Sequence, residues 1–289
     1  MSAAFPDHPL LLRAQARHCL YFGRFRRALR LLDRLAAQGP GDPGIETEAD
    51  QARDGLAKLA QLPRYKFSMV VLTYGNHADI LEACLAGIRR RCRLPPAQVE
   101  IIVGINGSTD GSEAIAAAHG ARVVRRDRNE DLDLYKPLFA MAQGEYLVDV
   151  DDDVIDFPDG FDVGLLDRFA AFPDYAFLGL SAINNEFVGR RMPPDDRYAP
   201  DQRGDLCVWE GPVGGWCAAI SRRDYFGING FNGVRLSDEN GKLLVGEEPQ
   251  IWKKLSERGR RFGVLPELRC VHGVKSMAAW NAWLAAQEG

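Results

Sequence analysis

The strongest constraint in this sequence is a change of hydrophobic period near residue 67. Phe67 to Thr73 (FSMVVLT) is a continuous apolar run, the pattern of a strand buried on both faces. An amphipathic stretch follows, with Ile80, Leu81, Cys84, Leu85 and Ile88 on one side of a helix. Val99 to Ile105 (VEIIVGI) is a second buried run. The two runs end about 30 residues apart, which suits a right-handed βαβ unit. An α/β layer fold is therefore the expectation.

The alternation continues. Asp110 and Glu113 resemble a capping box at the start of a short helix. Ala121 to Val124 reads as a third strand and Leu132 to Ala142 as a helix. Tyr146 to Val150 is a further strand, delivering the run Asp151-Asp152-Asp153. This order predicts a mostly parallel sheet with ligands at the carboxyl ends of its strands. After residue 160 the order weakens. Residues 184–206 are polar and proline-rich, long enough for a functional flap. Trp216 to Ser221 reads as a strand, Pro249 to Arg258 as a helix closed by Gly259, and Arg261 to Leu265 as a strand. Ser276 to Gln287 reads as an amphipathic helix carrying Trp280, Trp283 and Leu284.

Upstream of the period change, residues 1–62 read as three helices. Ala16, Gly23, Phe25, Ala28, Leu32, Leu35 and Pro40 sit at offsets that resemble one tetratricopeptide repeat. A single repeat cannot bury its own face, so these helices are expected to cap the neighbouring domain or to dock a partner. The domain division expected is 1–62 helical, 63–275 α/β and 276–289 a terminal helix.

Composition narrows the class. The formal charge of −4 argues against a general nucleic-acid binder. The six cysteines form no Cys-x-x-Cys pair and read as small buried hydrophobes of a reducing compartment. No apolar run approaches the ~18 residues that span a bilayer, and the first residues lack a signal-peptide pattern. A cytoplasmic protein is the expectation. The arginines at 24–34 and 89–93 read as solvated helix faces, with peripheral contact to the inner face of a membrane as the alternative.

Three carboxylates at the end of a buried strand are costly unless something neutralises them. A hard divalent cation does so and also holds the oxygens of a diphosphate; a solvated acidic turn is the bland alternative. The segments VVLTYGN, IIVGINGSTDGS, AQGEYLVDVDDD, GPVGGWCAAISRRDYFGINGFN, GEEPQIWKKLSERG and VHG decide between them. In this order, from about Phe67 to His272, they resemble family 2 glycosyltransferases of the GT-A fold. That fold is a nucleotide-diphospho-sugar transferase architecture with a mostly parallel sheet flanked by helices. The N-terminal helices and the last helix lie outside the resemblance.

The resemblance implies an inverting transfer of a sugar from a nucleoside-diphosphate donor to a hydroxyl acceptor, with Mn2+ or Mg2+ as cofactor. The acceptor would be a carbohydrate, a lipid-linked sugar or a protein. By position, Thr73, Tyr74, Asn76, Asn106 and Ser108 would line the donor pocket, with Asp151 and Asp152. Asp151, Asp153 and His272 would hold the metal. Lys136 falls near a donor-side basic residue of the family. Ile105 replaces the usual acidic residue that contacts the base, which leaves the nucleotide open. The second acid of GEEP is the implied general base, Glu248, assisted by Glu247. Gly215 and Trp216 would lie on the acceptor side. Ile105 and the replaced Glu-Asp pair motivate the competing reading, a catalytically degenerate binding or scaffold protein.

Overall fold

The computed structural model describes residues 8–39, 41–75, 77–183, 195–231, 247–273 and 276–287. Three helices come first, α1 (Pro9–Tyr21), α2 (Phe25–Ala36) and α3 (Pro43–Ala60). The alternating part runs β1 (Tyr65–Tyr74), α4 (Ala78–Arg91), β2 (Val99–Asn106), α5 (Ser112–Ala118), β3 (Arg122–Arg126), α6 (Tyr135–Met141), β4 (Gly144–Asp151) and β5 (Val154–Asp156). Then come α7 (Phe161–Ala171), β6 (Tyr175–Ala182), β7 (Ala199–Arg203), β8 (Leu206–Glu210), β9 (Cys217–Ser221) and α8 (Arg222–Gly227). The chain closes with α9 (Glu247–Ser256), β10 (Arg261–His272) and α10 (Met277–Gln287). No helix among the described residues is long and apolar enough to cross a membrane.

The chain divides into two compact units. Met1–Leu62 joins Arg222–Arg235 in one, and Pro63–Ser221 joins Leu236–Gly289 in the other. The first departs from the expected division, because α8 and the turn after it complete the helical unit. The reason is local. A Cβ on Gly23 would stand 1.8 Å from the Gly227 carbonyl oxygen, and Gly23 has φ +65°, so only glycine allows this approach. Asn229 donates to the Leu20 carbonyl at 2.8 Å, and Arg222 donates to Gln61 at 2.7 Å. Leu12, Ala16, Phe25, Leu32 and Ala52 form this unit's buried core.

The second unit is built on one sheet in the order β3-β2-β1-β4-β9-β6-β10-β8-β7. β1 pairs parallel with β2 and β4, and β2 with β3, as the buried runs predict. β6 and β10 are also parallel, while β9 pairs antiparallel with β4 and β6. Every residue of β2 is buried, and β1 is buried from Phe67 to Thr73, so both strands lie inside the layers.

Four differences from the sequence expectations matter. Residues 161–182, where the alternation in sequence weakens, form α7 and β6, and β6 (YAFLGLSA) is buried along its whole length. The second part of the expected flap is the β7–β8 hairpin; residues 184–194 lie outside the described residues. The strand at Arg261 does not stop at Leu265. It runs to His272 with a register break between Leu265 and Arg269, where Pro266 cannot donate to a ladder. Finally, Met277 and Trp280 of α10 pack on Ile80, Ile155 and Val271, so the last helix belongs to the sheet unit.

An ionic clamp holds the far edge of this sheet. Arg203 donates to both Asp174 oxygens at 2.7 and 2.9 Å and to Asp201 at 3.0 Å. Arg261 donates to Asp201 and Glu210, each at 2.6 Å, and to Asp174 at 2.9 Å. The two guanidinium groups lie 4.5 Å from the Phe172 ring and 4.4 Å from the Tyr175 ring.

Candidate active site

β4 ends on Asp151, and β5 begins one residue after Asp153. β5 pairs antiparallel with the end of β10, opposing His272 to Val154 and Val271 to Asp156. The Gly273 N–H donates to the Asp153 carbonyl at 3.2 Å. This short ladder delivers His272 to the acidic run from a point more than a hundred residues downstream. His272 Nε2 lies 3.0 Å from Asp151 Oδ2 and 3.1 Å from Asp153 Oδ1. The three side chains offer ligand atoms within 4.8 Å of one another.

His272 is 1% exposed, yet among the described residues neither ring nitrogen has an aligned hydrogen bond. An unsatisfied buried polar group costs about 1–3 kcal/mol. Two carboxylates and an imidazole aimed at a common point are a donor set that a divalent cation satisfies, so these residues fit a metal. Burial alone would lower the histidine's pKa, but the Asp151 and Asp153 carboxylates outweigh it and hold it up at about 9. Asp152 is pushed up to about 7 by burial, against the nearby Thr73 hydroxyl and with the two flanking carboxylates.

The other expected donor residues divide. Thr73 is buried at the end of β1, and Tyr74 beside it is 57% exposed and open to a ligand. Asn76 lies outside the described residues. Ser108 is buried, and its hydroxyl has no hydrogen-bond partner among the described residues. Asn106 is occupied: its amide donates to Asn129 Oδ1 at 2.7 Å and the Asp131 carbonyl at 2.9 Å, and its oxygen accepts from the Glu130 N–H at 2.8 Å. It organises the 129–131 turn, whose polar sequence (NED) is the signal overlooked. Lys136 pairs with Asp133 at 2.5 Å, so a donor phosphate would have to compete with that carboxylate. Ile105 is 1% exposed in the core, so its side chain is a packing residue of β2.

On the other side of the acidic run, the Gly215 N–H donates to Glu248 Oε1 at 2.7 Å. α9 begins at Glu247, two residues before the expected start, and places both glutamates in its first turn, where the helix end favours negative charge. Trp216 is 8% exposed rather than open to a sugar. Its indole N–H donates to the Leu180 carbonyl at 2.8 Å, and its ring stacks on His272. Burial pushes the Cys84, Cys217 and Cys270 thiols up, as suits small apolar packing residues.

Comparison with known proteins follows this geometry. The mannosyltransferase PcManGT from Pyrobaculum calidifontis, solved with GDP-Man and Mn2+, matches with TM-score 0.54 at 19% identity. The match covers 77% of this chain and 61% of that one. TarS residues 1–349 from S. aureus, solved with UDP-GlcNAc, match with TM-score 0.54 at 16% identity, covering 74% and 60%. The chain therefore spans about 60% of the length of these two structures, and the likeness establishes the GT-A fold. Comparison with curated protein sequences gives no significant match. The model of glycosyl transferase family 2 matches residues 68–227, more than half of the sequence. On that match, and with the acidic run and its strand inside it, the chain belongs to glycosyl transferase family 2.

Proposed function

We propose that this protein is an inverting, metal-dependent glycosyltransferase that moves a sugar from a nucleoside-diphosphate donor to a hydroxyl on a carbohydrate, lipid-linked or protein acceptor. The observation that carries this reading is the convergence of Asp151, Asp153 and His272 at the carboxyl ends of β4 and β10. These residues would hold Mn2+ or Mg2+, and the imidazole nitrogen favours Mn2+. When bound, the ion supplies positive charge against a leaving diphosphate. The donors of PcManGT and TarS, GDP-Man and UDP-GlcNAc, support the donor class.

The chain's own residues supply the rest. Tyr74 and the unsatisfied Ser108 hydroxyl stand where β1 and β2 end and would receive the nucleoside. Glu248 takes the acceptor hydroxyl's proton as that oxygen attacks the anomeric carbon opposite the breaking bond, whose electron pair leaves with the diphosphate. A single displacement of this kind inverts the carbon. The Gly215 amide fixes the Glu248 carboxylate for this task.

Calorimetric titration with UDP, GDP and dTDP, each with Mn2+ and with chelator, tests the donor site. Binding of one nucleotide only in the presence of metal is expected. Binding of none would favour the degenerate binding protein. Glu248→Gln should leave donor affinity unchanged and slow transfer by about 10²–10⁴-fold; unchanged turnover would move the base elsewhere.

A further inference from the structure

A metal-ligating imidazole ordinarily donates its second nitrogen to a carboxylate, a carbonyl or water, and that bond sets the angle of the ring. In His272, Nδ1 is buried, and among the described residues no protein carboxylate or carbonyl accepts from it. What meets the ring instead is Trp216, stacked with ring centroids 5.7 Å apart and planes 30° apart.

Trp216 is itself held from several directions. Its indole N–H is anchored on the Leu180 carbonyl of β6. Its own carbonyl accepts from the Asp151 N–H at 3.2 Å, and the next residue, Cys217, pairs with Val150 of β4. Gly214 leaves room for the ring, since a Cβ there would stand 1.9 Å from it. One residue thus touches β6 by its indole N–H, the start of the acidic run by its backbone carbonyl, and the histidine by its ring face.

We propose that Trp216 is a positioning residue for the metal site: its indole face sets the His272 ring so that Nε2 points between Asp151 and Asp153. This role rests on the reading of Asp151, Asp153 and His272 as metal ligands. It differs from that of a sugar platform, which would leave metal affinity alone, and from that of a core residue, which would move only the melting temperature.

The test is Mn2+ binding to nucleotide-free protein, followed by electron paramagnetic resonance, in the wild type, Trp216→Phe, Trp216→Leu, His272→Ala and Trp216→Leu/His272→Ala. Trp216→Leu should weaken Mn2+ by about 10–100-fold. Trp216→Phe, which keeps an aromatic face, should weaken it by less than about threefold. The double variant should bind no more weakly than His272→Ala, because no imidazole remains to be positioned. Wild-type Mn2+ affinity in Trp216→Leu would overturn the proposal, as would additive losses in the double variant. Should Trp216→Leu fail to fold, Trp216→Phe decides: a loss as large as that of His272→Ala overturns the role. A wild-type protein that binds no Mn2+ removes the metal site itself, and this role with it.

Discussion

At one place in the sheet unit Asp151 and Asp153 face a histidine; at another, Asp174, Asp201 and Glu210 face Arg203 and Arg261. Exposure does not separate the two groups, with carboxylate side chains at 25% and 33% in the first and 17–40% in the second. The cation separates them. Arginine keeps its proton and presents a fork of donors, which here fill the carboxylates with aligned hydrogen bonds. Asp174 is held well below the usual carboxylate range by Arg203 first, against burial, and then by Arg261. Histidine can give up its proton and offer a lone pair instead. The first group can therefore exchange a proton for a metal ion, and the second is closed.

The largest expected effect breaks the first group. Asp153→Ala should lower Mn2+-dependent donor affinity by on the order of 100-fold or more, a greater loss than that of an outer-shell partner. Normal donor affinity by calorimetry would mean that the acidic run is only a turn.

A smaller effect sharpens the contrast through pH. The raised pKa of His272 stabilises the metal-free fold fully below about 6.5, and that contribution is lost as pH rises through about 9. A metal must displace this proton, so Mn2+ affinity should rise roughly tenfold from pH 7 to pH 8 and level off above about 9. Titrations in buffers of different ionisation enthalpy should show about one proton released per Mn2+; none released would contradict the histidine's part.

The smallest effect falls on the arginine clamp. Arg261→Met should cost roughly 1 kcal/mol of stability, because the pairs are partly solvated. Denaturant unfolding should register the loss while Mn2+ affinity stays unchanged. A variant that lost metal binding as well would show that the two groups are not independent.

Much of this molecule was legible in its residues. FSMVVLT and VEIIVGI are apolar on both faces and could only be inner strands, and YLVDV pointed to where the acidic run would emerge. Buried strands announce themselves by continuity, and β6 has the same continuity but no motif beside it that marks its place in the alternation. The strand expected over Arg261 to Leu265 continues to His272, because a register break between Leu265 and Arg269 carries it past Pro266. Arg222 to Asn229 continued a family motif in sequence and gave no sign of joining the helical unit.

Local sequence determined the strand and helix types, the acidic run and the carboxylate pair of α9, because periodicity and charge act between near neighbours along the chain. Only tertiary structure decided which side chains face one another. Asn106 was committed to a turn, Trp216 was turned away from solvent onto His272, and His272 was brought to Asp151 and Asp153. Such choices depend on strand register and, for Trp216, on the room left at Gly214, where a Cβ would stand 1.9 Å from the ring. Register sets distances between residues far apart in sequence, and no spacing along the chain encodes them.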